Sequence, residues 1–237
     1  MMTEQLAPAS LPPGQRIYAI GDIHGCLDQL DDLHRQIAGD LAARPAQAVT
    51  IIHLGDYLDR GPDSAGVLAR IQRPFPSAAA VVVNLAGNHE ELFLAALDGE
   101  RGAVELWMDN GGVPSLASWG VPPRTRPRGW RKFIPAAQID ALRGLALCHA
   151  AGGYFFVHAG IRPNLPLAEQ TRADMLWIRN PFLTWDGTLP AVVVHGHTPE
   201  DRVCIRANRI GIDTGAVFGG DLTCLVLEAD RLRFLTA

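Results

Sequence analysis

Five short stretches of this chain set oxygen and nitrogen donors beside glycine. They are Gly21-Asp22-Ile23-His24-Gly25, Gly55-Asp56-Tyr57-Leu58-Asp59-Arg60-Gly61, Gly87-Asn88-His89-Glu90, His158-Ala159-Gly160 and His195-Gly196-His197. Any one of them reads as turn chemistry, because Gly, Asn and Asp are the ordinary turn formers. All five together, each at the end of an apolar run, form the kind of cluster that marks a metal site. Carboxylate, imidazole and carboxamide suit Mn²⁺, Fe or Zn²⁺, and the absence of thiolate argues against structural zinc. Six or more such donors are too many for one catalytic ion that must keep open positions, but they suit two ions sharing a carboxylate. Two ions about 3.5–4 Å apart can lower the pKa of a bridging water and neutralise phosphoryl oxygens during in-line attack. The chain contains neither a GxxxxGK[ST] nucleotide loop nor a Cys-x5-Arg loop, so a covalent-cysteine mechanism lacks its motif.

The elements that must present these donors follow from the apolar pattern. Arg16–Ile20, Val49–Leu54 and Ala79–Leu85 read as buried strands, each stopping at or just before a glycine. Leu27 to about Ile37 has apolar residues at helical spacing, Asp63 to about Ile71 starts beside Pro62, and Glu90–Leu97 continues the third stretch as a helix. Strand, loop and helix thus alternate three times, which implies a largely parallel sheet covered on both faces. Ligands of such sheets bind outside the carboxyl ends of the strands, where the donors lie. The middle, Glu105 to Leu142, reads as a helical insertion with Trp107, Trp119 and Trp130 in its core. The last third offers short strands at 154–157, 191–194, 202–205, 209–212, 222–227 and 232–235, expected to form a second, mixed or antiparallel sheet. The expected fold is an α/β/β/α sandwich of two sheets flanked by helices, built as one domain over residues 16–237. Residues 1–15 read as a disordered, proline-punctuated leader.

Composition narrows the classes. The 237 residues are 48% hydrophobic and 19% charged, ordinary for a globular chain. A formal net charge of −4 argues against bulk attraction to nucleic acid. Cys26, Cys148, Cys204 and Cys224 are scattered with no CxxC, and so read as buried free thiols in a reducing compartment. No run of about 18 apolar residues suggests a membrane span, and the N-terminus has no signal-peptide pattern. The expected location is cytoplasmic.

GDIHG, GDYLDRG and GNHE, followed by the two later histidine motifs, resemble the metallophosphoesterase superfamily. More narrowly, they resemble the bacterial branch of the phosphoprotein phosphatases, over roughly Ile17 to Leu227. The resemblance implies a calcineurin-like fold and hydrolysis of phosphate monoesters, with a serine/threonine phosphoprotein or small phosphate ester as substrate. It implies two divalent ions, Mn²⁺ foremost, with Asp22 and His24 on the first, Asp56 bridging, and Asn88, His158 and His197 on the second. It implies His89 as general acid with Asp59 behind it, Arg60 as a phosphate clamp, and Arg179 of Met-Leu-Trp-Ile-Arg as a second clamp. His195 alternates away from the ligand beside it and reads as structural.

Where eukaryotic members carry a tyrosine-containing SAPNYC loop, this chain reads Asp213-Thr214-Gly215-Ala216-Val217-Phe218-Gly219-Gly220. A dinucleoside polyphosphate hydrolase on the same scaffold is the main alternative. Such enzymes tend to replace the second acidic residue of GDxxDRG, whereas Asp59 is kept here. A metal-binding module without catalysis would predict a lost ligand or acid, and none is lost. The basic stretch Arg124, Arg126, Arg128, Arg131 and Lys132 reads as a solvated face, with selection of acidic substrates as its functional reading.

Overall fold

The computed structural model describes residues 4–77 and 80–237. Its first sheet orders the strands β1 (Gln5–Leu6), β11 (Arg231–Thr236), β10 (Thr223–Glu228), β2 (Gln15–Ile20), β3 (Ala48–His53) and β4 (Ala80–Asn84). Strands β2, β3 and β4 are parallel, and β10, β11 and β1 join them antiparallel. The second sheet orders β5 (Cys148–Ala151), β6 (Tyr154–Val157), β7 (Val192–His195), β9 (Arg209–Gly211) and β8 (Cys204–Ile205), parallel through β6, β7 and β9.

Side-chain alternation makes two faces from each sheet. Ile17, Ala19 and Ile52 meet Tyr154, Phe156, Val194 and Ile210 in the core between the sheets. Tyr18, Ile20 and Ile51 point the other way, into a larger core under α1 (Leu27–Ala43), α2 (Ser64–Ile71) and α3 (Asn88–Asp98). The same core takes in α4 (Ala103–Asp109), α5 (Gly112–Ser118) and α6 (Ala136–Arg143), which make the helical insertion. Trp107, Trp119 and Trp130 are buried there around Phe93, as expected. On the far face of the second sheet, Phe155, Val157 and Val193 lie under Met175 of α7 (Arg172–Trp177) and Phe182. The layering is therefore α/β/β/α.

Four details differ from the sequence expectation. The leader is not a loose tail across its described part: Gln5 and Leu6 pair with Leu232 and Arg231, and Leu11 is buried. Its anchor is the far end of the chain, which local composition does not reveal. Strands β10 and β11 join the first sheet rather than the second, because β10 hydrogen-bonds along β2. Helix α7 and strands β1 and β5 are additional. Of the four thiols, all free, only Cys224 is fully buried. The expected start of the third strand, Ala79, lies outside the described residues. Among those residues no helix is long and apolar enough to cross a membrane.

Candidate metal centre

The donors converge where the parallel strands of both sheets end. Loops after β2 and β3 are braided by main-chain bonds: Ile23 and His24 N–H donate to Asp56 O at 3.1 and 2.8 Å, and Gly25 N–H to Tyr57 O at 2.9 Å. The Asp22 carboxylate accepts the His197 N–H at 3.0 Å and so ties the first sheet to the second. This packing leaves no room for a side chain at two glycines. A Cβ on Gly196 would lie 2.0 Å from Asp22 Oδ1, and one on Gly87 2.1 Å from Asp56 Oδ1. His24, Asp56, Asp59, Arg60 and His197 all have positive φ, between 43° and 73°. Non-glycine residues rarely adopt this region, and it is tolerated where surrounding contacts over-determine the backbone, commonly at functional sites.

The hydrogen bonds of the buried imidazoles leave lone pairs turned towards the centre. His158 Nδ1 donates to Leu54 O at 3.0 Å, so its Nε2 is a bare lone pair, yet Nε2 lies 2.9 Å from Asn88 Oδ1 and 3.5 Å from Asp56 Oδ1, both acceptors. In His24, Nδ1 likewise faces Leu58 O at 2.6 Å, but the Nε2 lone pair, 3.4 Å from Asp56 Oδ2, already accepts from the Arg60 guanidinium. His197 Nδ1 also meets Asn88 Oδ1, at 2.9 Å. Lone pairs aimed at lone pairs in a buried site call for positive charge between them. Burial pushes His24 and His197 down to about 3 and lowers His158 as well, so these imidazoles are neutral, the form that binds metal. Burial raises Asp22 well above the carboxylate range, with Asp213 and Asp56 adding to the effect. In Asp56, burial is outweighed by His158, His89 and His24, which hold the carboxyl below its usual range. The donor set fits divalent ions.

Two groups bring donor atoms within 4.8 Å of one another: Asp56, His158 and His197, and His24, Asp56 and His89. The second includes His89 where the motif reading puts Asp22. His89 differs from the other imidazoles in charge. Burial pulls it down, but Asp56 and Asp59 outweigh burial and hold it above its usual value. Its Nδ1 meets Asp59 Oδ2 at 2.7 Å, leaving Nε2 free, 3.9 Å from Asp56 Oδ2. An imidazole biased towards its protonated form is a poorer metal ligand than a neutral one.

Asp59 is fully buried and held from three sides. Trp107 Nε1 donates to its two oxygens at 2.8 and 3.0 Å, and the Ser115 hydroxyl donates to Oδ1 at 2.7 Å. Neither partner belongs to a motif; both come from the insertion, 48 and 56 residues along the chain. Glu90 has a role that GNHE as a signature does not disclose. Its carboxylate accepts N–H bonds from Gly87, Asp56, Tyr57 and Leu58, at 2.8, 2.9, 2.8 and 3.2 Å, and so clamps the second loop to the third. Burial and Asp56 push Glu90 up to about 8, against the pull of these donors. A group that accepts from four N–H bonds is arranged as a carboxylate.

Arg60 is exposed. Its Nη1 meets His24 Nε2 at 2.6 Å, and its guanidinium carbon lies 5.7 Å from the centre of the Phe218 ring. Arg179 is also exposed, pairs with no carboxylate among the described residues, and its charge reaches His197. His195 is buried with its ring against Phe182 and belongs to neither donor group. Asp213, which the motifs do not mark, acts on Asp22 from the loop before β10. The Arg124–Lys132 stretch is largely exposed, with Arg131 paired to Asp98 at 2.6 Å.

The calcineurin-like phosphoesterase profile matches residues 15–231, and the chain belongs to that family. It is a hydrolase of the metallophosphoesterase type, whose members use a pair of divalent ions. Serine/threonine-protein phosphatase 1 of Salmonella typhimurium is 30% identical over 216 residues, covering 88% of this chain and 90% of that protein. The symmetrical bis(5'-nucleosyl)-tetraphosphatase of Dechloromonas aromatica is 32% identical over 288 residues, covering 92% and 94%. A solved structure described as a candidate diadenosine tetraphosphatase shares the fold with TM-score 0.66 at 22% identity, covering 97% of this chain and 98% of that one.

Proposed function

We propose that the protein is a two-metal phosphomonoesterase acting on phosphoserine and phosphothreonine in proteins. The observation that carries this reading is the buried Asp59–His89 pair at 2.7 Å. A serine or threonine alkoxide is a strong base and leaves only if protonated as the P–O bond breaks. A nucleotide leaving from a polyphosphate is already a stable anion and needs that proton far less. An acid this firmly held, by Asp59 and in turn by Trp107 and Ser115, suits the first leaving group.

Asp22, His24 and Asp56 would hold one ion, and Asp56, Asn88, His158 and His197 the other. Mn²⁺ is the foremost candidate, and Fe or Zn²⁺ also suits these ligands. When bound, the ions supply an activated water and neutralise charge on the phosphoryl group. The chain's own residues do the rest. Arg60 presents a planar fork to two phosphate oxygens, with Arg179 as a second cation at the same mouth. His89 gives the proton on Nε2 to the departing oxygen, while Asp59 keeps Nδ1 protonated and the ring in place.

The test is a panel of phosphoserine, phosphothreonine and phosphotyrosine peptides beside diadenosine tetraphosphate, all with Mn²⁺. Inorganic phosphate from the first two, at higher kcat/KM than any nucleotide release, is expected. Faster hydrolysis of the dinucleotide than of every phosphopeptide would replace this reading with that of the tetraphosphatase relatives.

A further inference from the structure

Apart from the metal centre, three strands of the second sheet bring an imidazole and a thiol together. Gly211 on β9 pairs with His195 on β7 in parallel register and with Cys204 on β8 in antiparallel register. Residues paired across neighbouring strands place their side chains on the same face of a sheet, so the three make one row. The middle place has no side chain. A Cβ on Gly211 would lie 3.2 Å from His195 Cε1 and Nε2 and 3.5 Å from Cys204 Cβ. Imidazole and thiol therefore border one small gap over Gly211.

The hydrogen bonds of His195 settle which atom faces that gap. Its Nδ1 lies 3.1 Å from Gly196 O, and a carbonyl only accepts, so Nδ1 carries the proton and Nε2 a bare lone pair. His195 is 3% exposed, and Nε2 is buried with no partner among the described residues, the Cys204 thiol included. Phe182 packs edge-on against the ring, 5.0 Å away between centroids, and holds its direction. Cys204 is a free thiol, half-buried on the edge strand of the sheet. A buried lone pair without a partner costs free energy that a cation in the gap would recover.

Donor type and surroundings select the cation. Thiolate with imidazole suits Cu⁺ or Zn²⁺, whereas Mg²⁺ and Mn²⁺ prefer oxygen. Structural Zn²⁺ takes four ligands, and no group of three or more donors includes His195 or Cys204 among the described residues. Arg209, two residues from Gly211 on the same face, adds a positive charge. It is 2% exposed and spends its guanidinium on Trp185 O, Leu183 O and Asn208 Oδ1. That neighbour opposes one charge less than two, and Cu⁺ is satisfied by two ligands in line.

We infer that His195 Nε2 and Cys204 Sγ form a site for one Cu⁺ ion over Gly211, the thiol proton passing to water as the ion binds. His195 is the last residue of β7, two before His197, so the site adjoins the metal centre in the chain and draws on neither of its donor groups.

The experiment titrates the Mn²⁺-loaded protein with Cu⁺ under argon, against a coloured Cu⁺ chelator, and counts both metals. The wild type should retain one Cu⁺ per chain with its Mn²⁺ content unchanged. Cys204→Ser and His195→Phe should each weaken Cu⁺ binding about 100-fold, the upper range for loss of a metal-site partner. Gly211→Ala should do the same by filling the gap, and it leaves both ligands in place. Cys204 is half-buried on an edge strand, so Cys204→Ser should fold and keep full para-nitrophenyl phosphate turnover. No Cu⁺ on the wild type, or equal Cu⁺ on Cys204→Ser, would overturn the site. Undiminished binding by folded His195→Phe, or by Gly211→Ala, would mean a thiol acting alone and would overturn the pair. Loss of Mn²⁺ as Cu⁺ enters would put the ion in the metal centre and overturn it as well.

Discussion

Asp59 and Arg60 are neighbours in the chain and opposites in environment. Asp59 is fully buried; its N–H donates to Ser64 and Ser115, and its carboxylate receives Trp107, Ser115 and His89. Arg60, one residue on, is exposed, and its guanidinium contacts only one ring nitrogen and one aromatic face. The same division runs through the whole site. The candidate donors and His89 are embedded in a frame of buried hydrogen bonds, whereas the proposed clamps Arg60 and Arg179, with Phe218 beside the first, stand at the surface. Proton and charge chemistry depends on fixed geometry in a dry site. Substrate choice depends on groups that can vary without disturbing that frame.

The sharpest break between the two regions is His89→Asn. Turnover should fall by roughly 10²- to 10⁴-fold, the usual worth of a general acid, and metal analysis should still find two ions per chain. The loss should be greater for phosphoserine than for para-nitrophenyl phosphate, whose leaving group needs little proton. If metal content drops in step with rate, His89 is a ligand, as its proximity to His24 and Asp56 would permit.

Glu90→Gln probes the frame without touching donors or acid. The amide offers one acceptor where the carboxylate offers two, and turns its NH₂ towards main-chain donors, so at least one buried N–H loses its partner. A destabilisation of about 1–3 kcal/mol is expected for such a group, read by denaturant melts. Mn²⁺ affinity should fall with it, because Asp56 is carried on the loop that Glu90 clamps. Unchanged Mn²⁺ titration with lowered stability would confine Glu90 to folding.

The part of this frame that the motifs mark is the part built from local chain. Asp22, His24, Asp56, Asn88, His89, His158 and His197 each sit where an apolar strand ends in a turn, and period and glycine locate them all. The partners of Asp59 carry no such mark. Trp107 and Ser115 look like insertion core, and only folding brings them to a carboxylate some fifty residues away. Helix α7 has only six residues, too few for a helical period to show. Its signal was a cap: Thr171 accepts the Asp174 N–H at 3.1 Å. Strand β1 is two residues paired with the other end of the chain. That β10 belongs beside β2 is likewise a matter of long-range pairing, since all but its last residue are buried and a locally read strand does not choose its sheet.

A buried histidine pair extends the frame behind the centre and gives it an acid weakness. His53 Nδ1 faces Asn84 Oδ1 at 2.7 Å, and its Nε2 meets His34 Nε2 at 3.0 Å, while His34 Nδ1 is buried without a partner. Burial pushes His34 down to about 2 and His53 to about 4. Above pH about 6.5 neither the folded nor the unfolded chain protonates these rings, so they add no pH dependence. Below it the unfolded chain takes up protons that the folded chain refuses, and stability falls as pH falls. The slope is about 1.4 kcal/mol per pH unit for each ring. Between pH 7.5 and 5 the His34 share is about 2 kcal/mol, so His34→Leu should melt lower at pH 7.5 yet lose less on acidification. Parallel curves for the two proteins would show that His34 takes up its proton in the folded state.

The smallest effect should come from the mouth, at Phe218. Its ring is 66% exposed, on a turn between Gly215 and Gly219, both with positive φ, and what it touches is the Arg60 guanidinium. A cation–π contact at an exposed site is worth about 0.5–1 kcal/mol. Phe218→Ala should therefore weaken competitive inhibition by inorganic phosphate about two- to fivefold, with Mn²⁺ affinity unchanged. Phe218→Tyr should restore it. The decisive readout is the double variant: once Arg60 is Ala, removing Phe218 should change phosphate affinity no further, because the ring then has no cation to hold. Additive losses would mean that Phe218 meets the ligand directly, and the exposed region would then recognise substrate through two independent groups rather than one aimed guanidinium.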